Sequence, residues 1–270
     1  MKTIVEKTAL IDALEAQWKS IDDLVTPLTD EQWNTATGLP GWTVGDVVAH
    51  VIGTESMLDG RTVESIRDVE SLDHVKNPIG VLNENWLDYY RARTRDEVMA
   101  DYRALTAKRV ADLHALDDEA WNADSVTPVG PESYGRFIRV RNFDCWVHEI
   151  DIRDALGLGD PTVPEPAGFA LAEFEHNLPY VVGKKARVPA GSAVTFDFVG
   201  LVPSLAHVAV GERAAVVPAH DGPADVTIRL SLADYARLAG GRPGGTAATV
   251  VIEGDKAIGD AIADNLHYLI

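Results

Sequence analysis

The sequence predicts an α plus α+β protein, with a helical N-terminal half folded as a four-helix bundle and a small α+β half behind it. Three observations carry this. From Thr3 to about Leu156 the apolar residues recur at helical spacing, residues 157–166 pack three prolines and two glycines into ten positions, and beyond them the alternation has period two. The domains expected are therefore residues 1–158 and 166–270, with the Pro/Gly segment as the linker.

In chain order, Ile4, Leu10, Ile11, Leu14, Trp18, Ile21 and Leu24 predict a first long helix. Thr29-Asp30-Glu31-Gln32 opens a short helix, Thr43-Val44-Gly45-Asp46 a second long one and Thr94-Arg95-Asp96-Glu97 a third, because a threonine can cap the amide three residues on while an acidic or amide side chain returns the bond. Gly38-Leu39-Pro40-Gly41 is a turn, and the fourth long helix runs from about Tyr134 to Leu156. In the second half, Val194/Phe196/Phe198 and Val226/Ile228/Leu230 alternate with polar residues as strands do, and residues 205–210, 214–217 and 249–253 are further strands. Helices are expected at about 167–180, 232–239 and 256–269, packed on a small, mostly antiparallel sheet.

Composition narrows the function classes. Forty-two acidic against 24 basic residues leave a formal charge of −18, of which −14 lies in residues 1–160. Such a field repels phosphate backbones and anionic lipid, so neither nucleic acid nor a membrane surface is expected as a partner. Cys145 is the single cysteine, which excludes an intramolecular disulfide and a cysteine-cluster zinc site and fits a reducing compartment. The first seven residues carry charge where a signal peptide would be apolar, and no run is long and apolar enough to span a membrane, so a soluble cytoplasmic protein is expected.

The candidate chemistry lies in the fourth long helix. Asp144 and His148 are four apart and project from one helical face, close enough to grip one ion, although a surface hydrogen bond explains such a pair as well. His50 sits within the apolar run Val44, Val47, Val48, Val51 and Ile52, beside the small residues Gly53 and Thr54, which leave room for an imidazole. A histidine in that setting is either a core residue satisfied by one hydrogen bond or a ligand turned into the bundle. If the two helices face each other, His50, Asp144 and His148 form a two-His, one-carboxylate site with coordination positions to spare, a set suited to zinc and also to Fe(II). Arg141 and Asp151 lie three residues either side of the Asp144/His148 pair, where they either orient the ligands or form an intrahelical ion-pair ladder. The other histidines, at 74, 114, 176, 207, 220 and 267, show no ligand spacing. Cys145 lies between Phe143 and Trp146 and reads as a packed residue more readily than as a nucleophile.

The stretches Leu39-Pro40-Gly41-Trp42-Thr43-Val44-Gly45-Asp46-Val47-Val48-Ala49-His50 and Asp144-Cys145-Trp146-Val147-His148-Glu149-Ile150-Asp151-Ile152-Arg153 resemble the two signatures of the mycothiol-dependent maleylpyruvate isomerase family. The resemblance implies a DinB-like bundle that binds a divalent metal through His50, Asp144 and His148, with zinc foremost and Fe, Ni, Co or Mn also compatible, and it implies mycothiol as the thiol cofactor. Arg141 is then expected to assist cofactor binding. The second half resembles a sterol-carrier-protein-2-like domain, in which a Gly-Arg follows a short helix. Arg242 is the matching position for a catalytic arginine, with Arg229 as the fallback. The family's isomerase has Glu where this chain has Asp144.

The activity implied is metal-dependent activation of a thiol for attack on a small electrophile, ending in cis–trans isomerisation of a maleylpyruvate-like substrate or in thiol S-transfer. The competing reading is a non-catalytic protein that binds a metal, or a small apolar ligand in its second domain.

Overall fold

In the computed structural model, which describes residues 2–127 and 130–269, three threonines start helices as their sequence context requires. Thr29, Thr43 and Thr94 each close a capping box with Gln32, Asp46 and Glu97, and so open α2 (Asp30–Trp33), α3 (Val44–Leu58) and α5 (Arg95–Ala115). The first helix, α1 (Lys7–Val25), begins later than the apolar pattern suggests. Glu6 accepts the amides of Thr8 and Ala9 at its start, and Ile4 lies outside it and exposed. The last helix of the bundle is α7 (Tyr134–Ala155), capped by Ser133.

The chain forms two units, Met1–Gly159 and Asp160–Ile270. In the first, α1 packs on α5 and α7, and α3 packs on the same two, which closes a four-helix ring. Leu10, Leu14, Trp18 and Ile21 of α1, Val47, Val48, Val51 and Ile52 of α3, and Ile138, Trp146 and Ile150 of α7 fill its centre. Each such aliphatic side chain contributes about 1.5–3 kcal/mol by leaving water.

A further helix, α4 (Pro78–Arg91), was not expected from the periodicity. It packs on the outside of α3, and its buried residues are Glu84, Trp86, Leu87 and Tyr90, a stripe too polar to register as an apolar face. Its start was legible all the same: Asn77 caps the Gly80 amide at 2.9 Å, and Pro78 occupies the first turn, where a missing N–H costs nothing. This helix also revises the role of Gly53. A Cβ there would lie 2.5 Å from Trp86 Cβ, so the glycine admits the tryptophan of α4 and does not serve to make room for His50.

After the short α6 (Asp118–Trp121), a hairpin unforeseen in the sequence pairs β1 (Asp124–Thr127) with β2 (Gly130–Ser133). It ties down the N-terminal segment. Glu132 accepts the Thr3 amide at 2.9 Å and Arg136 at 2.7 Å, while Ser133 donates to the Thr3 carbonyl at 2.6 Å.

In the second unit α8 (Pro164–Pro179) starts inside the segment expected to be linker, with proline in its first turn, and continues through a π-helical turn at Tyr180–Lys185. Five strands follow: β3 (Ala193–Val199), β4 (Ser204–Val210), β5 (Ala214–Val217), β6 (Val226–Ser231) and β7 (Val251–Gly254). They lie in the order β5-β4-β3-β6-β7, antiparallel except for β3 beside β6, where Phe196 pairs with Ile228. Phe174 of α8, Phe196, Phe198 and Tyr235 of α9 (Leu232–Ala239) meet at centroid distances of 4.9–6.2 Å to form the core. The final helix, α10, spans Lys256–Ala263 only, shorter than expected. The chain then leaves the helical path, and the amides of Tyr268 and Leu269 donate to the Ala239 carbonyl at the end of α9.

Glu132 makes the fold of the first unit sensitive to acid. Burial alone would raise its pKa, but the Thr3 amide and Arg136 outweigh this and hold it at about 2. Its stabilising contribution, of order 2–3 kcal/mol, is complete above about pH 4.5 and is lost as the pH falls towards 2. Chemical denaturation across this window should show wild-type stability falling more steeply than that of Glu132→Gln, which should be about 1–3 kcal/mol less stable at pH 7.

Candidate metal centre

Helix α7 buries polar and charged residues on several faces, and the site is one of them. His148 and Asp144, one turn apart, face His50 of α3. His50 Nε2 lies 3.1 Å from Asp144 Oδ2, and His148 Nε2 lies 3.6 Å from Asp144 Oδ1. One ligand atom from each residue falls within 4.8 Å of the others. Donors at about 2.0–2.1 Å around one tetrahedral ion stand about 3.3 Å apart, so the three side chains need only a small adjustment to share a cation. Both imidazoles are buried, whereas the Asp144 side chain is 31% exposed and marks the side on which the group opens.

Neighbours prepare these side chains. Asp151, buried, lies 2.9 Å from His148 Nδ1, which turns Nε2 towards Asp144 and fixes the orientation of the ring. Arg141, also buried, donates from NH1 to Asp144 Oδ2 at 2.5 Å and from Nε to Glu55 Oε1 at 3.0 Å. Burial holds the His50 imidazole below its ordinary pKa and therefore neutral, the form that ligates. Burial would raise the pKa of Asp144, but the permanent charge of Arg141 and the hydrogen bond with His50 outweigh it and keep the carboxyl well below its ordinary range. His50 Nδ1 has no hydrogen-bond partner among the described residues, so this imidazole, unlike His148, has its tautomer set only from the Nε2 side.

Trp42 forms a wall that sequence reasoning had not assigned. Its ring lies 5.3 Å from the His50 ring and 6.0 Å from that of His148, and its Nε1 donates to the buried Glu84 at 2.9 Å. Glu84 also meets His74 Nε2 at 2.9 Å and Arg67 NH2 at 3.3 Å. Trp42 stood in plain view between Gly41 and Thr43; Glu84 lay on the helix that the periodicity missed. Glu55 had a signal too, as a carboxylate beyond the first turn of a largely apolar helix.

Residues 14–153 match the family model of the mycothiol maleylpyruvate isomerase N-terminal domain, and residues 169–260 match that of the MDMPI C-terminal domain. The chain belongs to the mycothiol maleylpyruvate isomerase family. Its curated relatives include uncharacterised proteins from two strains of Mycobacterium tuberculosis, each 25% identical over 167 residues, and the match spans 60% of this chain and 60% of theirs. A crystal structure of the mycothiol-dependent maleylpyruvate isomerase superposes with a TM-score of 0.58 at 16% identity, covering 92% of this chain and 93% of that one. A histidine-to-alanine mutant of that isomerase gives 0.57 at 15% identity with the same coverage. At these identities the likeness is one of fold, a helical region followed by a mixed-sheet domain.

Within this family member the remaining candidates are placed as follows. Arg141 sits inside the bundle, engaged by Glu55 and Asp144. Arg242 follows α9 in the second unit, its NH1 donating to the Gly240 carbonyl at 2.9 Å. Arg229, half-exposed on β6, is paired with Asp197 at 2.7 Å and Glu253 at 3.1 Å. Cys145 is fully buried behind Asp144, and burial pushes its thiol up to about 12. A thiol-specific reagent at pH 8 should leave Cys145 unmodified in the native chain and titrate about one thiol per chain in denaturant; rapid native labelling would show that the thiol is reachable.

Proposed function

We propose that this protein is a divalent-metal-dependent, mycothiol-using enzyme that activates the thiol for attack on a small electrophile, either as a maleylpyruvate isomerase-like cis–trans isomerase or as a thiol S-transferase. The observation that carries the reading is the convergence of His50, Asp144 and His148, with Asp151 seated on the far nitrogen of His148. Two imidazole nitrogens and one carboxylate oxygen are a donor set for zinc, and for Fe, Ni, Co or Mn, and three protein ligands leave room for a sulfur. A divalent cation bound there lowers the pKa of a coordinated thiol and so supplies a thiolate at neutral pH.

The chain's own residues do the rest. Asp151 fixes the His148 tautomer, Arg141 holds the Asp144 carboxylate in place, and the Trp42 ring keeps water from one side of both imidazoles. Because the guanidinium of Arg141 is buried, it serves the thiol cofactor through Asp144 and not by direct contact. Arg242 is assigned, on its motif, to an anionic group of substrate or thiol. Arg229, the fallback, is held by Asp197 and Glu253. No described helix is long and apolar enough to cross a membrane.

Elemental analysis of the purified protein should find about one divalent ion per chain, lost on His148→Ala with the helical signal retained. With mycothiol and a panel of electrophiles, isomerisation converts substrate without consuming thiol, whereas S-transfer consumes one thiol per product. His148→Ala should lower either rate by at least about 100-fold. A metal-free wild type of full stability would defeat the proposal.

A further inference from the structure

Glu55 is a buried carboxylate that touches none of the three candidate ligands, five residues beyond His50 on α3. Its two oxygens are divided between two buried arginines. Arg141 Nε of α7 donates to Oε1 at 3.0 Å, and Arg109 Nε of α5 donates to Oε2 at 3.0 Å. Arg109 also donates to the Tyr134 hydroxyl at 3.2 Å. With Asp144, the group comprises two guanidiniums and two carboxylates shared among three helices.

The connection to the metal centre runs through Arg141. Its NH1 donates to Asp144 Oδ2, the oxygen that also faces His50 Nε2 at 3.1 Å, while Oδ1 faces His148 Nε2 at 3.6 Å. Arg141 thus orients the Asp144 carboxylate and, being a permanent cation in contact with it, also competes with any metal for its charge. A guanidinium satisfied on one edge by another carboxylate competes less.

We propose that Glu55 is a positioning residue of the metal centre: by engaging the Nε edge of Arg141 it restrains that cation, leaving Asp144 turned towards the two imidazoles and anionic enough to ligate a divalent ion. This rests on the metal-binding reading above. Arg109 anchors Glu55 from the opposite side, so Glu55 is not drawn wholly to Arg141. If Glu55 served only to neutralise Arg109 within the core, its removal would act on the fold regardless of Arg141.

The test is a double-mutant cycle on the full chain, freed of metal and titrated with cobalt(II) against a chromophoric chelator. The cobalt absorption bands report coordination, and the thermal midpoint without metal reports the fold. Glu55→Gln should weaken cobalt binding by about 10-fold or more and shift the bands, since ligand-orienting partners carry effects of that size. In an Arg141→Met background the same substitution should change affinity by less than about twofold, the non-additivity expected if Glu55 acts through Arg141. If Glu55→Gln does not fold, Glu55→Asp keeps the charge but withdraws it by one methylene, and should lower affinity several-fold only where Arg141 is present. Equal losses in both backgrounds, or wild-type affinity in the Glu55 variant, would overturn the assignment while leaving the metal centre standing. A wild type that binds no cobalt would overturn both.

Discussion

A charge taken out of water must meet a partner or lose its ionisation, and α7 is organised by that constraint. Arg136, Arg141, His148, Glu149 and Asp151 are all buried along this one helix. Glu149 is answered by Gln17 and Ser20 of α1 at 2.7 and 2.9 Å, Arg141 by Glu55 of α3, and His148 by Asp151 of α7 itself. The apolar residues would tolerate small rotations of the helices against one another; these directional pairs would not. The pairs of Glu149 with α1 and of Arg141 with α3 restrict the rotation of α7 against those helices, in the arrangement where His148 and Asp144 face His50.

The same constraint makes the site chemically usable. A carboxylate and two imidazoles brought together in a bundle would tend to neutralise one another through shared protons. Here Asp144 is held ionised by the permanent charge of Arg141, and His50 is held neutral by burial. The acid excess of the first unit has little to do with this. Among the described residues, Asp144, Asp151 and Glu55 are the acids that contact the candidate ligands or the arginine behind them, Glu84 holds Trp42, and the remainder serves mostly as a surface that disfavours polyanions.

Much of this organisation was legible in the sequence, because it is local. The capping boxes at Thr29, Thr43 and Thr94 depend on side chains three residues from the amides they satisfy, and the strands from Ala193 to Ser231 depend on alternation along a few residues. The i, i+4 face of Asp144 and His148 is of the same kind. Where reading failed, the deciding contact was distant. Helix α4 buries Glu84 because Trp42, His74 and Arg67 converge on it, and a glutamate in a stripe weakens the apolar pattern whether or not partners await it. Gly53 was a small residue with two possible beneficiaries, and only the placement of Trp86 distinguishes them. The end of α10 likewise follows from the Ala239 carbonyl that collects the last amides.

By itself, then, the sequence determined the division into a helical half and a mixed-sheet half, the helix starts at Thr29, Thr43 and Thr94, and three candidate metal ligands. Tertiary structure decided that α3 and α7 present those side chains to each other, that Trp42 covers the imidazoles, and that Glu55 and Arg109 stand behind Arg141. The physical reason is range. Helix propensity, capping and side-chain periodicity are settled within a turn or two of chain, whereas the pairing of a buried charge is settled by whichever helix supplies its counterion, and between Glu55 and Arg141 that helix is 86 residues away.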